Sequence, residues 1–163
     1  MTPTFFSSPS EFRDWLEKNH KTEVEILVGF YKVDSGKQNM TWSQSVDEAL
    51  CYGWIDGVRK SIDNVSYCIR FTQRKRSSNW SSVNIKKVGE LKKKGLMQPA
   101  GIEAFSNRKE EKSNIYSFES DPKGLTDSFV NKFKSNKKAW DFFTKQGLSY
   151  QKTITHWVTS AKR

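Results

Sequence analysis

Residues Val24 to Tyr31 read V-E-I-L-V-G-F-Y, and residues Ser66 to Thr72 read S-Y-C-I-R-F-T. The first run is β-branched and aromatic, of strand length and apolar on both faces, which predicts a central strand. The second alternates, with Tyr67, Ile69 and Phe71 on one face and Cys68 and Arg70 on the other, the signature of a half-buried strand. Strands of this kind need helices to cover them, and the flanking sequence supplies helices. Ser8-Pro9-Ser10-Glu11 is a helix start: a capping serine, a proline suited to the first turn, and a glutamate three residues after the cap. Phe12, Trp15 and Leu16 then give that helix one apolar face. Thr41 with Gln44, or Ser45 with Glu48, caps a second helix with a stripe of Val46, Ala49 and Leu50, and Gly53 is placed to end it.

Further along, Asp34-Ser35-Gly36-Lys37 reads as a turn, and Trp54 to Gly57 as a tight turn closed by its glycine. Asn79 or a neighbouring serine caps a third helix carrying Trp80, Val83, Val88 and Leu91, with Gly95 past its end. Pro99 starts a short helix through Ile102 and Phe105. Asn114 to Gly124 is polar and turn-rich, and three short helical patterns follow, around Phe129/Val130/Phe133, Trp140/Phe142/Phe143 and Ile154/Trp157/Val158. The expected fold class is α+β: a mixed helix and antiparallel-sheet domain over residues 1–112, a linker over 113–124, and a small all-helical unit over 125–163.

The 163 residues include 22 aromatic side chains (Phe 11, Trp 6, Tyr 5), so an aromatic-rich core is expected. No apolar run approaches the ~18 residues of a membrane span, and residues Met1 to Ser10 lack the basic and apolar regions of a secretory signal. Cys51 and Cys68 are too few and too ill-spaced for a disulfide framework or a zinc site, and they read as reduced thiols in a reducing compartment, the cytoplasm, with a single bridge between them as the minor alternative. With only His20 and His156 as histidines, neither a metal centre nor a catalytic triad is expected, and no cofactor. The net charge of +10 is uneven: Met1–Gly57 holds 5 basic and 9 acidic residues, Val58–Lys112 holds 14 and 5, and Ser113–Arg163 holds 9 and 4. A positive field that begins after Gly57 attracts anions.

Phosphate-binding glycine loops, H-E-x-x-H and G-x-S-x-G are absent, and no pair of carboxylates is marked as an acid–base couple, so the catalytic residues are unknown. Two segments stand out as binding chemistry. In E-A-L-C-Y-G-W-I-D-G, from Glu48 to Gly57, a helix end delivers Trp54 and Asp56 just ahead of Arg59. In R-F-T-Q-R-K-R-S-S-N-W, from Arg70 to Trp80, a strand runs into Arg74, Lys75 and Arg76 and then a helix start at Asn79 and Trp80. Cations beside a helix start can cradle an anion. The expected site therefore gathers Trp54, Asp56, Arg59, Arg70, Arg74, Arg76, Asn79 and Trp80 around one hollow, with Asp56 orienting an arginine. The bland alternative places both tryptophans in the core, the arginines on a solvated rim, and Asp56 against Arg59.

These two segments, followed by G-L-M-Q-P-A-G, together with the C-terminal pattern of Trp140, Phe142-Phe143, Tyr150, Trp157 and Ala161-Lys162-Arg163, resemble the bacterial YdeI/OmpD-associated family of bacteriocin-protection proteins. The resemblance implies a bacterial origin, an α+β domain followed by a helical one, and a part in envelope stress or tolerance of cationic antimicrobial peptides. It implies no particular biochemistry. Gln73 stands where the family has proline after R-F-T. The basic E-T-R-type helix that follows the family's A-K segment is absent, which leaves open a C-terminal unit shortened at that end. Three functions are carried forward. One is a non-enzymatic module for a small anionic ligand. The second is nucleic-acid contact through Lys86, Lys87 and Lys92–Lys94, not favoured because no helix-turn-helix or RNP-like signature accompanies them. The third is an enzyme acting on an anionic substrate with Asp56 as base.

Overall fold

Glu25–Tyr31 forms a strand (β2) paired antiparallel along its whole length with Ser66–Gln73 (β4) in the computed structural model, Val28 facing Ile69 and Phe30 facing Tyr67. The structure describes residues 1–113 and 124–160, the side chain of Ser160 excepted; the segment read as a linker falls almost wholly outside them, as do Ala161 to Arg163. The chain divides into two compact units, Met1–Ser113 and Asn114–Arg163.

The first unit holds a four-stranded sheet in the order β1-β2-β4-β3, with Thr4–Phe5 as β1 and Trp54–Ser61 as β3. Two expectations are corrected here. The segment from Trp54 to Gly57 is the start of a strand and not a tight turn, because its backbone pairs with the end of β4, Trp54 facing Gln73 and Asp56 facing Phe71. The sheet is also not purely antiparallel, since β1 pairs parallel with β2. Gly29 is what lets β1 lie there: a Cβ on it would stand 2.6 Å from the Phe5 ring.

Helices Pro9–Asn19 (α1) and Trp42–Cys51 (α2) cover the sheet. Ser8 caps the first, accepting from the Glu11 amide, and Thr41 and Gln44 form a reciprocal capping box on the second. Phe12 meets Phe71 edge-on at 5.4 Å, and Trp15 meets Trp54 edge-on at 5.7 Å, which joins α1 to β4 and β3. Phe12, Leu16, Val28, Phe30, Leu50, Trp54, Phe71 and Trp80 are all essentially inaccessible, and Val88 and Leu91 extend this single core. Cys51 and Cys68 are free thiols, both buried.

Ser82–Lys93 (α3) is capped by Ser81, which accepts from the Asn84 amide. Asn79 is therefore not the cap, and Trp80 precedes the helix, pairing its backbone with Ser113. Pro99–Ser106 (α4) docks on the C-terminal turn of α2 at backbone contact distance. A Cβ on Gly101 would lie 2.2 Å from the Cys51 carbonyl oxygen, and one on Gly53, whose φ is +74°, would lie 2.8 Å from the Ala100 carbonyl oxygen. The Gln98 amide donates to the Cys51 carbonyl at 3.0 Å and locks this contact. The G-L-M-Q-P-A-G segment is thus a helix start built for close approach.

In the second unit, Asp127–Lys134 (α5), Lys137–Lys145 (α6) and Leu148–Ser160 (α7) are joined by tight connections. Phe133, Trp140 and Phe143 cluster with ring centroids 5.1–6.0 Å apart. Leu125, Phe129, Phe133, Ile154 and Val158 line an apolar cleft of ≈ 290 Å³.

Candidate functional site

The close docking of α4 against α2 creates a hollow at the end of the sheet. Its volume is ≈ 400 Å³, and it is lined by His20 and Lys21 after α1, by Tyr52, Gly53 and Trp54 between α2 and β3, by Gln73 to Arg76 at the end of β4, and by Ala100, Glu103, Ala104 and Asn107 of α4. The last four stand at i, i+3, i+4 and i+7, one face of a helix. That volume falls in the range of small-molecule sites.

Two helices end at this hollow, where a helix C-terminus disfavours an anion, and several carbonyls just beyond those ends accept hydrogen bonds. Gln73 Nε2 donates to the His20 carbonyl at 2.8 Å and to the Glu23 carbonyl at 2.9 Å, and Trp54 Nε1 reaches the His20 carbonyl at 3.4 Å. The Arg74 amide occupies the Gly53 carbonyl at 2.9 Å. The Gln73 side chain therefore closes the end of α1.

The lining carries four cationic side chains, Lys21, Arg74, Lys75 and Arg76, against one carboxylate, Glu103. Among the described residues Lys21, Lys75, Arg76 and Glu103 take part in no ion pair. Arg74 lays its guanidinium over the Trp80 ring at 3.6 Å and donates Nη1 to the Asn79 carbonyl at 3.1 Å. Burial pushes the Tyr52 phenol up from its ordinary value, so it stays a protonated hydroxyl at the wall. His20 stands beside it, ring centroids 5.1 Å apart.

The structure divides the residues expected to share one site. Trp54, Arg74 and Arg76 line the hollow, with Trp80 and Asn79 behind Arg74. Asp56 and Arg59 line a separate depression with Trp42, Gly57, Tyr67 and Ile69. Asp56 accepts from Trp42 Nε1 at 3.0 Å and so holds an indole where an arginine was expected, because α2 begins alongside β3. Arg59 stacks on Tyr67 at 3.6 Å. Arg70 leaves the core face as expected, but its guanidinium pairs with Glu25, Nε lying 2.7 Å from Oε2. Glu25 faces Thr72 across the ladder, so Glu25 and Arg70 are diagonal neighbours, a pairing readable once the register of β2 and β4 is known. Of the lysines considered for nucleic acid, Lys87 bonds Asp47 at 2.5 Å and Ser43 at 3.1 Å.

His20, Lys21, Tyr52, Gln73, Glu103 and Asn107 were not anticipated, because only the tertiary docking of α1, α2 and α4 brings them together. Among the described residues no three His, Cys, Asp or Glu side chains group as metal ligands, and no helix is long and apolar enough to cross a membrane.

Fold and hollow together define an α+β domain with a cation-lined cavity at one sheet end, followed by a helical unit. The chain belongs to the family described as a domain of unknown function, DUF8412, whose model matches residues 4–104. Residues 125–163 match the family described as Bacteriocin-protection, YdeI or OmpD-Associated. The likeness to bacteriocin-protection proteins is thereby shown for the C-terminal part, while the motifs from Glu48 to Gly101 lie within the DUF8412 match. No curated protein and no solved structure matches the chain.

Proposed function

We propose that the N-terminal unit binds a small oxyanionic ligand in the hollow between α1, α2, β4 and α4, as the ligand-binding part of a bacteriocin-protection protein. The observation that carries this reading is the set of cations that form no ion pair among the described residues, Lys21, Lys75 and Arg76, around a cavity also lined by Tyr52 and Trp54. Exposed surface lysines are ordinarily solvated and mean little. Here three cations line one concavity, and the His20 and Gly53 carbonyls beside it already accept hydrogen bonds. An oxyanion entering it gains charge-assisted hydrogen bonds, each worth roughly 1.5–3 kcal/mol. The reading is a binding function and assigns no catalytic group. The role in protection against bacteriocins rests on the match of residues 125–163, and the two buried free thiols support a reducing compartment such as the cytoplasm.

Calorimetric titration of the full chain with inorganic phosphate tests it. Charge reversal by Lys75→Glu with Arg76→Glu should weaken binding by at least about tenfold, the equivalent of roughly 1.4 kcal/mol. Unchanged affinity in the double variant refutes the site.

A further inference from the structure

The cationic hollow also contains a hydrogen-bond acceptor, and an acceptor at an anion site constrains which anion it takes. Resting on the oxyanion reading above, we propose that the ligand is an oxyanion that brings its own hydrogen-bond donor, a hydrogenphosphate or a phosphorylated polyol, and that the site rejects fully deprotonated sulfate.

Glu103 is the carboxylate concerned. It projects from the α4 face that lines the hollow, beside Ala100, Ala104 and Asn107, and it is exposed and forms no ion pair among the described residues. An ionised carboxylate is an acceptor only. Placed beside a bound sulfate it meets only other acceptors and repels them. Placed beside a P–OH or a sugar hydroxyl it accepts a hydrogen bond.

The hollow thus combines cations that attract a dianion with an acceptor-only carboxylate that requires a donor on it. A site built to bond a ligand hydroxyl discriminates strongly against the analogue lacking it, because its own polar group is left unpaired. Volume agrees: ≈ 400 Å³ is larger than a bare tetrahedral oxyanion needs and leaves room for a hydroxylated carbon skeleton.

Sulfate and hydrogenphosphate are tetrahedral dianions of similar size at about pH 8, differing in one proton, which makes them the discriminating pair. Calorimetry on the full chain at that pH should show inorganic phosphate binding at least about tenfold more tightly than sulfate. Glycerol phosphate binding more tightly than inorganic phosphate assigns the donor to a carbon-borne hydroxyl; the reverse order assigns it to the P–OH. Glu103→Gln supplies an amide donor at an exposed position that leaves the fold intact. It should raise sulfate affinity and bring the phosphate-to-sulfate ratio towards one. Equal binding of the two anions by the unaltered chain, or an unchanged ratio in Glu103→Gln, overturns the proposal while leaving the oxyanion site standing. Binding of neither anion overturns both.

Discussion

Replacing Gly101 with alanine should open the hollow by pushing α4 off α2. The added Cβ would lie 2.2 Å from the Cys51 carbonyl oxygen and 2.7 Å from both the Cys51 carbonyl carbon and the Leu50 oxygen. Carbon–oxygen contacts settle near 3.3–3.6 Å, so the two backbones must separate by about 1 Å. The obstacle is backbone on a buried helix end and cannot swing aside. Overpacking of this kind costs about 1–3 kcal/mol. Loss of the 3.0 Å bond from the Gln98 amide to Cys51 adds about 0.5–1.5 kcal/mol. Alanine returns about 1 kcal/mol through its higher helix propensity, so the net destabilisation should be about 0.5–3.5 kcal/mol. Gly89→Ala is the matched control: Gly89 sits inside α3 with nothing within 4 Å of its would-be Cβ, and the same exchange there should stabilise by about 0.5–1 kcal/mol. Urea denaturation of the full chain, followed by circular dichroism, reads both. A Gly101→Ala variant as stable as Gly89→Ala would refute the docking argument, and with it the account of how the hollow is formed.

Arg70→Ala should lower stability by no more than about 1 kcal/mol, because its pair with Glu25 is more than half exposed on the arginine side, and it should leave phosphate affinity unchanged. A large loss of affinity, measured by calorimetry, would return Arg70 to the site. Asp63, in the loop between β3 and β4, has its carboxyl held below the ordinary carboxylate value by the Val65 amide and the Ser66 hydroxyl. Since its folded value lies below the unfolded one, its contribution is present above the unfolded value and is lost as pH falls through the folded one. An NMR titration placing the Asp63 midpoint at or above the usual ~3.9 would contradict this.

The strands β2 and β4 and the caps of α1 and α2 were legible because each is written locally, in apolar period and in capping residues three apart. The edge strand β3 was not. Only Trp54 is buried along it, the register shifts between Asp56 and Arg59, and Gly57 and the exposed Val58 break any alternation. The site divided the same way. The cations after β4 and the aromatic Trp54 were readable as candidate binding residues, while His20, Glu103 and Asn107 join the same hollow only through the docking of helices distant in sequence. The expectation of a single hollow failed because antiparallel pairing sends Asp56 and Arg59 along β3 towards Trp42 and Tyr67, away from the α2–α4 junction.

The central claim is that this hollow, and no other basic surface of the described chain, receives an oxyanion. Titration of the isotopically labelled full chain with inorganic phosphate, followed by amide and side-chain NMR, tests it residue by residue. The account predicts saturable shifts at Gly53, Gln73, Lys75, Arg76 and Asn107, with Arg59, Ile69 and Arg70 undisturbed. Shifts concentrated at Lys86 and Lys92–Lys94, or no saturable shift at the hollow, would contradict it.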